Sequence, residues 1–245
     1  MATNPRLEGR LYYDIALEPV RGCKGKCSWC TMGDLPHERH FMTSEVLETS
    51  LRDHKHLLAR LPRGQKIEVF MSEGGNPPEN PRLAELTQIV RKHAPPAHIV
   101  SFWSLWGATE QELAHRTKGL DELVASVDRP HWQAIKAELA ELGRPHSNEV
   151  VTQEMAARLK IAKRVAEQNK LKLTVRLVAK EGPEAASFTA LVRNALESGY
   201  HLEPRNPVKR GFSLGRLRSS TLYIWHDGQV TDYIPRSLML PRPKT

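Results

Sequence analysis

The chain has very little cysteine: three residues in 245, and none apart from Cys23, Cys27 and Cys30. A disulfide framework needs partners at a distance. Their absence excludes the disulfide-stapled secreted scaffolds and fits a reducing compartment. Long apolar runs are also missing, since no stretch approaches the roughly 18–20 residues that span a bilayer. Met1 to Arg10 lacks the apolar segment of a signal peptide, so the expected location is the cytoplasm and no membrane partner is expected. Internal repeats and low-complexity linkers are absent too. The chain reads as a single domain, with a core over about 11–207 and a C-terminal extension over about 208–245.

Acidic residues are in deficit, 28 against 36 lysines and arginines, which leaves a formal net charge of +8. A basic solvated surface is the plain explanation; an anionic partner, whether metabolite, nucleic acid or acidic peptide, is the other. Arg205, Lys209, Arg210, Arg216 and Arg218 follow one another with no acidic residue between them, a stretch suited to gripping phosphates. Only Phe212 interleaves with them, so a base-stacking surface is not indicated.

What is present is an alternation of strand-like and helix-like segments. Strands are expected over 11–19, 66–72, 98–103, 122–128, 171–179 and 200–204. Helices are expected over 43–61, 80–93, a short stretch after Thr109, 152–169 and 183–198. Met155, Leu159, Ala162 and Ala166 make one stripe at helical spacing. Thr221 to Tyr233 reads as a hairpin turning at Asp227-Gly228. Repeated strand–helix units predict an α/β fold with a parallel sheet, because parallel neighbours need helical crossovers.

Alternation within the strands assigns their faces. Leu171, Leu173, Val175 and Leu177 form one apolar face, with Thr174 and Arg176 opposite. Leu123, Ala125 and Val127 likewise oppose Val124, Ser126 and Asp128. The apolar faces should meet the helices and leave polar groups on the inside of a curved sheet, where a polar ligand would account for them. Pairing of Arg176 with Asp128 is the alternative account.

The three cysteines form C-x3-C-x2-C in Cys23-Lys24-Gly25-Lys26-Cys27-Ser28-Trp29-Cys30. Three chemistries fit. One is a zinc site completed by His37 or His40, one an electron-transfer cluster with a remote fourth ligand, and one an iron–sulfur cube with an open iron. The loop follows the first strand, at the strand edge where α/β proteins build active sites, which favours chemistry over structure. His37-Glu38-Arg39-His40 lacks H-E-x-x-H spacing and reads as surface, as do His54 and His56. Trp103, Trp106 and Trp132 read as core or pocket wall.

On these residues the chain resembles the radical S-adenosylmethionine (SAM) superfamily. The marks are Cys23, Cys27, Trp29 and Cys30 after the first strand, and Gly74-Gly75-Asn76-Pro77 where that family has Gly-Gly-Glu-Pro after the second. The resemblance covers most of residues 11 to 207. It implies a partial (β/α)6 barrel of the radical SAM type with a short C-terminal β-hairpin extension, holding an oxygen-sensitive [4Fe–4S] cluster on Cys23, Cys27 and Cys30.

The cluster's open iron would chelate S-adenosyl-L-methionine. Reductive cleavage would then yield a 5′-deoxyadenosyl radical that takes a hydrogen atom from a substrate. The resemblance places the SAM amino group on Gly74, Gly75 and Asn76. Asn76 departs from the family's glutamate and offers a neutral acceptor, with Glu73 as a neighbouring carboxylate. Trp29 would shield the cluster, and Ser126 and Arg176 would contact the ribose or the carboxylate. A flavodoxin- or ferredoxin-like electron donor is implied.

With all three cysteines committed, no auxiliary cysteine-ligated cluster and no methyl-carrying cysteine remain. The compact reactions left are direct action on a small, anionic or nucleotide-like substrate, or activation of a glycyl-radical partner protein. A zinc- or cluster-bearing nucleic-acid-binding module is the reading from a different class.

Overall fold

The computed structural model of the chain describes residues 12–23, 38–58, 65–72, 74–178, 182–205 and 221–231. Among the described residues, ten strands and six α-helices follow in order. They are β1 (Asp14–Leu17), β2 (Val20–Arg21), β3 (His40–Phe41), α1 (Ser44–His54), β4 (Glu68–Met71), α2 (Leu83–His93), β5 (His98–Trp103) and α3 (Glu110–Arg116). After these come β6 (Glu122–Val127), α4 (Arg129–Glu141), α5 (Asn148–Asn169), β7 (Lys172–Val178), α6 (Pro183–Leu196), β8 (His201–Arg205), β9 (Thr221–Ile224) and β10 (Val230–Thr231).

One eight-stranded sheet runs β10-β9-β1-β4-β5-β6-β7-β8. From β9 to β8 every neighbouring pair is parallel; only β10 returns antiparallel, on β9. The six strands of the expected barrel are therefore β1, β4, β5, β6, β7 and β8. The hairpin turns at Asp227–Gly228 as its sequence requires. What the sequence did not signal is its docking, because β9 pairs parallel with β1, Asp14 opposite Thr221 and Leu17 opposite Ile224. Parallel pairing is set by tertiary packing and leaves no turn signature in the strand itself.

The helices cover one face of the sheet. Ile15, Leu17, Val69, Met71, Ile99, Trp103, Leu123, Ala125, Val127, Leu173, Val175 and Leu177 all lie buried in the single apolar cluster beneath them. Met155, Leu159, Ala162 and Ala166 of α5 join it, so the helical stripe faces the sheet. Ser126, Thr174 and Arg176 lie on the opposite, inner face, in keeping with their alternation. Each large aliphatic side chain buried this way contributes roughly 1.5–3 kcal/mol.

Helix boundaries follow their caps. Thr43 accepts from the Val46 amide at 3.3 Å and opens α1; Thr109 and Glu112 make a reciprocal capping box on α3. Helix α1 stops at His54 in a 3-10 turn (Lys55–Leu57) rather than running to 61, because Leu58 pairs with Tyr12 beside β1. Helix α5 begins a turn earlier than its apolar stripe suggested, at the Ser147 cap. The helix missing from the sequence reading is α4. Asp128, placed at the end of a strand, is instead the N-cap of α4, accepting from the His131 amide at 2.9 Å with Pro130 in the first turn. That Asp-x-Pro start, with Trp132, Ile135 and Leu139 buried behind it, was the available signal.

Three of the carboxylates with displaced pKa values, Glu68, Asp121 and Glu122, sit at the N-terminal ends of the strands. Burial pushes Glu68 up, aided by the nearby Asp14, Glu122 and Asp121 carboxylates and opposed by His98. Burial also acts to raise Asp121 and Glu122, but their bonds outweigh it and hold both below the usual carboxylate range. For Asp121 these are the Ile99 amide at 2.7 Å and Arg91 at 2.6 Å; for Glu122, Thr174 and Lys172. A depressed folded-state pKa adds stability above the group's ordinary value and loses it as pH falls through the folded value. Wild-type protein should therefore unfold at higher urea than Asp121→Asn at pH 7, and the gap should close as the pH drops below about 3.9, the ordinary aspartate value. A gap constant from pH 7 to pH 2.5 would contradict this assignment.

Candidate active site

The cysteine loop leaves the sheet through a stem whose two sides are both held. Outgoing β2 pairs antiparallel with returning β3, Val20 with Phe41 and Arg21 with His40. The Met42 amide donates to the Pro19 carbonyl at 3.0 Å. Asn80, wholly buried, reaches both sides: its amide nitrogen donates to the Pro19 carbonyl at 2.8 Å and to the Met42 carbonyl at 3.1 Å. Its oxygen accepts from the Arg82 amide at 2.8 Å. Arg39, on the returning side, pairs with the buried Glu79 at 2.9 Å.

The stem lies directly against the glycine turn that follows β4. The Gly22 amide donates to the Gly74 carbonyl at 3.2 Å, and Gly22 and Gly75 form a parallel bridge. No side chain fits between them. A Cβ on Gly75 would stand 2.5 Å from the Gly22 carbonyl oxygen. One on Gly74, whose φ is +79°, would stand 2.3 Å from a Glu18 carboxylate oxygen. The two segments singled out by sequence are thus in backbone contact, with half-buried Cys23 next in the chain. Cys27, Trp29 and Cys30 lie outside the described residues, as do His37, Glu73 and the basic stretch after Arg205.

Asn76 turns away from the stem. Wholly buried, it donates to the Trp106 carbonyl at 2.7 Å and accepts from the Ser104 amide at 3.0 Å. Its amide thereby fixes the loop after β5. That loop carries Leu105 at φ +62°, a left-handed conformation costing a branched residue of order 1 kcal/mol or more. Arg158 on α5 also holds it, donating to the Leu105 carbonyl at 2.6 Å and pairing with Glu138 on α4.

On the inner face, Ser126 and Arg176 are register partners on β6 and β7, both half-buried. Arg176 does not pair with Asp128. Its Nε donates to Glu203, its register partner on β8, at 3.2 Å, and its guanidinium lies over the Phe102 ring at 4.5 Å. Asp128 caps α4 through one oxygen, which also lies 2.5 Å from His131 Nδ1. Trp106, buried in the loop after β5, packs on the His131 ring; Trp103 and Trp132 are buried in the core. The residues that sequence reasoning missed are Glu18, Asn80, Glu79 and Glu203. Each is an ordinary polar residue whose importance comes from a partner distant in sequence.

Three solved structures are similar to this one to different degrees. Hexahistidine-tagged anSMEcpe with bound AdoMet matches at TM-score 0.51 and 15% identity, over 80% of this chain and 51% of that one. Native anSMEcpe with bound AdoMet and the Kp18Cys peptide matches at TM-score 0.50 and 16% identity, over the same shares. BtrN in complex with AdoMet and 2-DOIA matches at TM-score 0.48 and 12% identity, over 91% of this chain and 73% of that one. No family model and no curated protein matches the sequence. The anSMEcpe likeness is one of fold alone: this chain shares the partial (β/α) barrel of that structure and spans about half its length.

The stem gives a direct prediction. Asn80→Ala removes two donated bonds and should cost about 1–3 kcal/mol; Asn80→Asp, nearly isosteric, turns a carboxylate on two carbonyls and should cost more. Urea denaturation at neutral pH checks the order. An aspartate variant as stable as wild type would show that Asn80 does not hold the stem.

Proposed function

We propose that the chain is a radical SAM enzyme. The reading rests on one observation: the stem of the cysteine loop and the glycine turn are in direct backbone contact at the C-terminal ends of neighbouring parallel strands. The fold around them is shared with enzymes whose structures hold AdoMet.

Three cysteine thiolates in one loop suit iron–sulfur ligation, and Cys23, Cys27 and Cys30 would hold the group. When bound, a [4Fe–4S] cluster supplies the electron that cleaves the sulfonium bond of SAM to give a 5′-deoxyadenosyl radical. The chain's own residues bind and orient. Gly74 and Gly75 present backbone with no side chain in the way, suited to the ammonium of SAM. Asn76, with its amide spent on Ser104 and Trp106, sets the turn's position. Trp29 would cover the cluster. Ser126 and Arg176, adjacent on the inner face, suit the ribose and a carboxylate, with Glu203 and Phe102 keeping the guanidinium in place. The substrate would be small and polar, anionic or nucleotide-like, and a flavodoxin- or ferredoxin-like protein in the cytoplasm would deliver the electron. Among the described residues no helix is long and apolar enough to cross a membrane.

Anaerobic reconstitution with iron and sulfide should give broad visible absorbance and, after reduction, convert SAM to 5′-deoxyadenosine and methionine. Cys27→Ala should abolish the conversion. Stoichiometric zinc with no SAM cleavage would overturn the proposal.

A further inference from the structure

Glu18 is a buried carboxylate that joins three segments. It stands one residue beyond β1, and its side chain is wholly inaccessible to solvent. One oxygen accepts from Arg21, in the cysteine-loop stem, at 3.1 Å. The other accepts from His226 twice, from the backbone amide at 3.2 Å and from ring Nδ1 at 2.6 Å. His226 opens the turn of the β9–β10 hairpin, and its ring packs on His40 across the stem. The third segment is the glycine turn, for the Glu18 Cγ and carboxylate fill the space that a side chain on Gly74 would need. The Glu18 amide also extends the β1–β9 ladder, donating to the Ile224 carbonyl at 3.0 Å.

An isolated buried carboxylate is costly, and an apolar side chain would fill the same volume without that penalty. What an apolar group lacks is directional bonding to the stem and the hairpin at once. The glycine turn is pinned from two sides, by Glu18 beneath Gly74 and by the Asn76 amide reaching the β5 loop. Resting on the radical SAM reading, we infer that Glu18 is a positioning residue for SAM. It makes the seating of the C-terminal hairpin part of the geometry of the SAM-binding turn, although no hairpin residue need touch SAM. A carboxylate acceptor requires Nδ1 of His226 to be the donor, which the amide of asparagine can imitate at that position and that of glutamine cannot.

The test has two arms. In cofactor-free protein, hydrogen exchange should rise in Glu18→Gln at residues 74–76 and 221–231 together, and stay at wild-type rates in β6 and β7. In reconstituted protein, calorimetric SAM binding should weaken about tenfold in Glu18→Gln and His226→Gln, the size expected for losing one charge-assisted bond, and return to near wild type in His226→Asn. The turnover number for SAM cleavage should stay within about twofold of wild type, since no reacting atom is touched. If Glu18→Gln does not fold, the two His226 variants decide. Unchanged SAM affinity in the folded variants, or exchange raised evenly over the whole sheet, would overturn the role given to Glu18. Failure of the wild-type protein to bind SAM would instead overturn the functional reading.

Discussion

The contact of Gly22 with Gly74 and Gly75 is the constraint on which the arrangement of the two loops depends. Two backbones meet there with no side chain between them, and everything around the contact serves to maintain it. Asn80 ties both sides of the stem, Arg39 and Glu79 brace the returning side, and Asn76 carries the restraint onward to the β5 loop. The parallel order of β1 and β4 puts the two loops at the same edge of the sheet. The glycines let them touch.

Much of this was legible in the chain. The Gly22-Cys23 segment, the Gly74-Gly75 turn and the alternation in β6 and β7 predict where the two segments leave the sheet and which faces it presents, because each rests on local spacing. Other features depend on partners that spacing does not specify. Alternation offers Arg176 a polar ligand or Asp128, and register on β8 pairs it with Glu203 instead. Asp128 alternated correctly as a strand residue, yet its bond to the His131 amide made it a helix cap. Asn80 carries no motif; it matters only where Pro19 and Met42 come together.

The substitution at Asn76 also takes on a physical meaning. A glutamate at that position would bring negative charge to the turn that, on the proposed function, receives an ammonium group. Here the side chain is a neutral amide used as both donor and acceptor inside the protein, so the turn offers its backbone instead. Three carboxylates with shifted pKa values, Glu68, Asp121 and Glu122, lie at the far end of the strands. Their titration belongs to the folding equilibrium and not to the site.

The position of β9 has a consequence for how the protein is made. In the sheet β1 lies between β4 and β9, so one neighbour is near in sequence and the other more than two hundred residues later. Contacts of that range close slowly, and on a growing chain they wait for the late segment to leave the ribosome. Until then the first strand has a bare edge, and the stem beside it lacks the His226–Glu18 bond. On the proposed function, insertion of a cluster into a correctly shaped loop would therefore be a late event, after synthesis of the hairpin.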